Sequence, residues 1–79
     1  MRTVTKEFYK EKLIECINTQ YGGVSALKRG ESMRDGELRK LMRKELTPIC
    51  NPAPEEIRQF MHLIDTLYEL CINEILSIV

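Results

Sequence analysis

Apolar residues recur at steps of three and four from Ile57 to the end of the chain, and this spacing is the feature that most constrains the fold. Such a period is typical of an α-helix with one apolar side. Pro54 suits the first position of this helix, and Glu55 and Glu56 suit its positive N-terminal end. We therefore predict one long helix from Pro54 almost to Val79. Its apolar stripe consists of Ile57, Phe60, Met61, Ile64, Leu67, Tyr68, Cys71, Ile75 and Ile78.

Further apolar residues widen the stripe, with Leu63 and Leu70 on one flank and Ile72 and Leu76 on the other. The apolar arc then spans about 200° of the helix, whereas a surface helix typically shows one of about 100° or more. Burial by other helices of the same chain is one explanation. Because those helices are short, we instead expect the arc to contact a second copy of the chain or a protein partner of unknown identity. The predicted contact residues are Ile64, Leu67, Tyr68, Cys71, Ile75 and Ile78.

The N-terminal segment has the signals of a helix at both of its ends. Apolar residues with helical spacing run through residues 6–21, and Thr5 is the predicted N-cap. Val4 and Tyr9 fall at the two positions of a hydrophobic staple around that cap. Gly22 follows the last periodic residue and tolerates the left-handed conformation that ends many helices. The segment is therefore predicted to be a capped helix.

The middle of the chain is predicted to hold a second main helix, preceded by a short helical turn near residues 25–29. Ser32 or Asp35 caps the main helix, which ends at about residue 46 or 47. The three prolines of residues 47–54 predict a connector, since proline lacks the amide hydrogen that a helix interior uses. The inner face consists of Leu38, Leu41, Met42 and Leu46. Residues 1–79 are thus expected to form a single all-α domain, a small bundle of three main helices.

Charge is balanced overall, with 12 Lys+Arg and 12 Asp+Glu, but it is uneven along the chain. Residues 24–53 hold seven basic and four acidic residues, whereas residues 54–79 hold one and five. The basic middle can therefore attract the acidic C-terminal helix inside the fold. It can also bind phosphates or an acidic protein surface, or simply face solvent. The predicted anion-binding surface consists of Lys28, Arg29, Arg34, Arg39, Lys40, Arg43 and Lys44.

Residues 22–30 resemble the first part of a helix-turn-helix unit. In that family a small residue packs inside the first helix and a glycine stands at the turn. Ala26 and Gly30 have this spacing. The sequence departs from the pattern at Gly36, where the family has a branched apolar residue in the recognition helix. The resemblance implies a DNA-binding regulator that uses residues 24–46.

The residues that most often carry chemistry are widely spaced here. Cys16, Cys50, Cys71 and His62 lack the ligand pairs, two to four residues apart, that structural zinc sites use. The glycines are not followed by the Gly-Lys-Ser/Thr of a phosphate loop. We therefore expect no metal, no cofactor and no catalytic residues, and we predict that the chain is not an enzyme.

Two observations concern the compartment. No window approaches the roughly 18 apolar residues that span a bilayer, and the N-terminus has no apolar stretch of a signal peptide. Three cysteines at wide spacing do not suggest a disulfide framework. We expect a cytoplasmic protein without membrane contact. Its expected function is that of a small regulator, inhibitor or adaptor that binds proteins and forms a homodimer; nucleic-acid binding is the alternative.

Overall fold

The structure, a computed structural model, describes residues 4–29 and 34–77, and most of these residues are helical. This part of the chain contains four α-helices and no strand. They are α1 (Lys6–Tyr21), α2 (Val24–Arg29), α3 (Arg34–Cys50) and α4 (Ile57–Ser77), and a 3₁₀ turn at Pro54–Glu56 precedes α4. The all-α prediction is confirmed, as are the bounds of α1, the short helical turn near residues 25–29 and the long C-terminal helix.

Both ends of α1 have the predicted caps. The hydroxyl oxygen of Thr5 accepts a hydrogen bond of 3.1 Å from the Phe8 N–H. Gly22 has a positive φ of 79°, and the Gly23 N–H donates to the Ile17 carbonyl at 3.3 Å. These bonds satisfy backbone groups that have no partner inside the helix. The local signals in the sequence are therefore sufficient to set the limits of this helix.

The predicted end of α3 is wrong, because the helix continues through Pro48 to Cys50. Pro48 lies in the last turn, so its missing N–H deprives only the Lys44 carbonyl of a helical bond. The N–H of Asn51 donates to the Thr47 carbonyl at 2.8 Å, which closes the last turn. Burial of Cys50, which is 2% exposed, stabilises this extra turn of the helix. The helix stops at Asn51, whose φ of 48° is left-handed.

The starts of α3 and α4 differ in detail from the sequence prediction. Because α3 begins at Arg34, Asp35 lies inside the helix rather than at its cap. Ser32, the other predicted cap, lies outside the described residues. In front of α4 the Glu56 carboxylate accepts a 2.8 Å hydrogen bond from the Ala53 N–H, and this bond lowers the pKa of Glu56. An acidic side chain thus caps the helix start, as its position in the sequence suggested.

The core lies between α4 and the other helices, and no polar or charged residue of the described part belongs to it. Arg39 pairs with Glu69 and Arg43 with Asp65, so α3 and α4 run antiparallel. The largest fully buried side chains are Tyr9, Leu13, Ile17, Leu38, Met42, Leu46, Phe60, Ile64, Tyr68, Cys71 and Ile75. This arrangement decides which sides of α3 and α4 remain available for binding.

Candidate functional site: the outer face of the C-terminal helix

The predicted self-association residues of α4 lie mostly inside their own chain. Ile64, Leu67, Tyr68, Cys71 and Ile75 are each 7% exposed or less. The remaining residue, Ile78, lies outside the described residues. From the sequence, two short main helices are expected to cover the apolar arc. In the structure α2 also contributes Leu27 to the core, and the longer α3 contributes Cys50. Most of the wide apolar arc is therefore core, and any association through α4 needs another part of its surface.

Two arginines of the predicted anion-binding surface face α4. The Nε of Arg43 donates to one Asp65 oxygen at 3.1 Å, and its Nη2 reaches the other at 2.5 Å. The Nη2 of Arg39 lies 3.2 Å from a Glu69 carboxylate oxygen, and its guanidinium lies 4.6 Å from the centre of the Tyr68 ring. The hydrogen bonds to Asp65 raise the pKa of Arg43. The attraction between the basic middle and the acidic helix thus occurs inside the fold.

The other members of this predicted surface divide into two groups. Lys40 and Lys44 are exposed on α3, one turn apart. The side chains of Lys28, Arg29 and Arg34 lie outside the described residues. In the described part, the two lysines are therefore the more exposed members of this surface, and the two arginines are partly buried against α4. A Cβ at Gly36 would meet no atom of the described residues within 4 Å.

A further ion-pair cluster joins the start of α1 to the end of α4. The Glu74 carboxylate pairs with the ammonium groups of Lys6 and Lys10, the latter at 3.3 Å. Hydrogen bonds from Lys6 and Lys10 lower the pKa of Glu74. Local sequence patterns do not predict these ion pairs, because their members are more than sixty residues apart. The acidic composition of α4 is the sequence signal that points to them.

One side of α4 carries no charge. The charged or titratable residues Arg58, His62, Asp65 and Glu69 form a row at helical spacing. Asp65 and Glu69 of this row pair with α3, and Glu74 lies on the side towards α1. Between these sides runs a row that we call the outer seam. It consists of Gln59, Leu63, Thr66, Leu70, Asn73 and Ser77.

The outer seam faces solvent along most of the length of α4, and its Leu63 packs against the edge of the core. Leu70 is 50% exposed, Leu63 is partly buried, and the four polar members are exposed. Successive members are four, three, four, three and four residues apart, which is the spacing of a helix–helix contact. The sequence pattern puts Leu63 and Leu70 on one flank of the wide apolar arc. Which flank stays open depends on the packing of the other helices, and no local signal indicates this.

The cysteines do not form a reactive centre. Cys16, Cys50 and Cys71 are buried and free. Burial raises the pKa of Cys16 and of Cys71, which keeps their thiols protonated and weakly nucleophilic. Among residues 4–29 and 34–77, no three His, Cys, Asp or Glu side chains are grouped so that they could hold a metal ion.

Comparison of the chain with protein-family models, with curated proteins and with solved structures gives no match. None of the helices in the described part has both the length and the apolar character needed to cross a membrane.

Proposed function

We propose that the protein is a small non-enzymatic regulator, inhibitor or adaptor that acts through protein–protein contacts and self-associates through the outer seam of α4. The observation that carries the proposal is the uncharged outer seam, which runs along the exposed part of α4 between the charged row and Glu74. Charged residues make up 30% of the chain, and a surface helix normally presents them to solvent. A solvent-facing row that instead combines uncharged polar side chains with two leucines suits contact with another helix.

The exposed area of the leucines sets the strength of such a contact. Complete burial of a leucine is worth about 1.5–3 kcal/mol. Because Leu70 is 50% exposed, its second half contributes about 1 kcal/mol in each copy. The association is therefore weak and depends on protein concentration, which suits a regulator or adaptor that exchanges between partners. The three free cysteines fit a reducing compartment, and we place the protein in the cytoplasm.

Sedimentation velocity over a wide range of protein concentration tests the proposal. The wild-type protein should shift from monomer to dimer, and Leu70→Glu should remain a monomer with an unchanged helical spectrum and melting temperature. Ile57→Glu is the matched control, since Ile57 is a similarly exposed apolar residue of α4 outside the seam. A wild-type protein that stays monomeric at hundreds of micromolar would contradict self-association, as would a Leu70→Glu variant that still dimerises.

Exposed Lys40 and Lys44 favour a second candidate, the DNA-binding regulator implied by residues 24–46. This candidate has less support, because Arg39 and Arg43 already pair with α4. Binding to duplex DNA at physiological salt should accordingly be weak. Tight binding that falls steeply with salt and disappears in a Lys40→Glu, Lys44→Glu variant would instead favour the DNA-binding function.

A further inference from the structure

The five members of the outer seam from Gln59 to Asn73 have the same order of chemistry when they are read in either direction from Thr66. Leu63 lies three residues before Thr66, and Leu70 lies four residues after it. The amide side chains of Gln59 and Asn73 lie seven residues before and after it. The order is thus amide, leucine, threonine, leucine, amide. A two-fold interface requires a surface that is complementary to itself, and this order provides one.

We infer that two copies of the chain pack α4 against α4 in antiparallel orientation, about a two-fold axis close to Thr66. This inference rests on the proposed function and adds the geometry of the contact. In this arrangement the half-exposed Leu70 of each copy covers the partly buried Leu63 of the other, which removes the remaining exposed area of both side chains from water. Gln59 meets Asn73, and each amide offers a donor and an acceptor to the other.

Charge distinguishes the antiparallel pair from a parallel one. Glu55 and Glu56 stand at the start of α4, so a parallel pair would bring four carboxylates together at one end. In the antiparallel pair the two starts are about 30 Å apart, well beyond the screening length at physiological salt. Each start then approaches the end of the other α4, where Lys6 and Lys10 balance Glu74 and Glu7 and leave no net negative charge. The antiparallel orientation therefore avoids the repulsion that a parallel pair would create.

Disulfide cross-linking tests the antiparallel orientation of the two α4 helices directly. Single cysteines are introduced as Gln59→Cys, Thr66→Cys and Asn73→Cys, at exposed positions where substitutions change stability little. Under mild oxidation Thr66→Cys should cross-link with itself. Gln59→Cys and Asn73→Cys should each stay mostly uncross-linked alone but give a mixed dimer as the main product when combined. The wild-type protein is the control, because its own cysteines are all 8% exposed or less.

The outcomes separate the geometry from the function. Self-cross-linking of Gln59→Cys together with no mixed product would show a parallel pair and overturn this inference, while self-association through the seam would stand. A protein that dimerises in sedimentation but cross-links at none of the three positions associates through another surface, which overturns both claims. A monomer at all concentrations overturns self-association, and the antiparallel pair with it. If these two leucines pair, Leu63→Ala and Leu70→Ala should each lower the dimerisation affinity at least tenfold and by similar amounts.

Discussion

The hydroxyl of Tyr9 gives the most direct test of how the core is packed. Tyr9 is fully buried, and its hydroxyl has no hydrogen-bond partner among the described residues. A buried polar group without a partner costs about 1–3 kcal/mol, because it loses its bonds to water and gains none in return. Tyr9→Phe removes that group and keeps the ring. We therefore expect the variant to be more stable than the wild-type protein by about 1 kcal/mol.

Thermal and urea unfolding followed by circular dichroism measure this difference. A gain of 1 kcal/mol corresponds to a rise in melting temperature of about 4–8 °C for a domain of this size. Tyr21→Phe is the matched control, since the Tyr21 hydroxyl bonds the Glu37 carboxylate at 3.4 Å near the surface. That variant should stay within about 0.5 kcal/mol of the wild-type protein or fall slightly below it. A clear loss of stability in Tyr9→Phe would refute the reasoning, because it would mean that the hydroxyl has a partner in solution.

The stability of the protein at alkaline pH provides a second test of the burial of the Tyr9 hydroxyl. Burial raises the pKa of the Tyr9 phenol in the folded protein, whereas the unfolded chain has the usual pKa of about 10. Below pH 10 both states keep the proton, and this group gives no pH dependence. Above it only the unfolded state releases the proton, so the wild-type protein loses about 1.4 kcal/mol of stability per pH unit from this group. The advantage of Tyr9→Phe should therefore grow above pH 10; parallel stability curves would contradict burial of the phenol.

Two further predictions concern the ends of helices. The pKa of Glu74 is lowered in the folded protein by Lys6 and Lys10, so its contribution to stability is present above the usual glutamate pKa of about 4.3 and is lost as the pH falls below it. Acid titration of the melting temperature should therefore show a smaller loss for Glu74→Gln than for the wild-type protein, and equal losses would contradict the pairing. Asn51 holds a φ of 48°, so in urea unfolding Asn51→Gly should be at least as stable as the wild-type protein and Asn51→Val less stable by about 1–2 kcal/mol. An unaffected Asn51→Val would show that the left-handed end of α3 is absent in solution.

Local signals in the sequence are enough to predict most helix limits, because caps act over a few residues. Thr5 and Gly22 do this for α1, and both bonds are present. The predicted end of α3 is wrong because Pro48 is a local signal against a helix, whereas the helix continues past it. Burial of Cys50 against the other helices favours the extra turn, and this contact lies far away in the sequence. A tertiary contact therefore outweighs the local preference at this point.

The candidate site is harder to predict than the fold, because it depends on which surfaces remain open after packing. The helical projection correctly groups the apolar residues of α4, but it cannot show how much of a wide arc the other helices cover. Ile64 and Leu70 are both apolar members of that arc, yet one is buried and the other is half-exposed. Likewise, the uneven charge indicates attraction between the middle and the end of the chain, but only the structure pairs Arg43 with Asp65.

The ion pairs of α4 affect its surface chemistry more than its stability. The Arg43 and Asp65 side chains are 40% and 34% exposed, and pairs this accessible contribute about 0–1 kcal/mol. They nevertheless favour the same rotation of α4 about its own axis as the burial of its apolar residues does. A rotation by one residue, about 100°, would separate Asp65 and Glu69 from α3 and also expose Ile64. Because apolar burial and ion pairing fix the same rotation, the uncharged row is turned outward as a consequence of the fold, and it is available for a second copy without any rearrangement of the core.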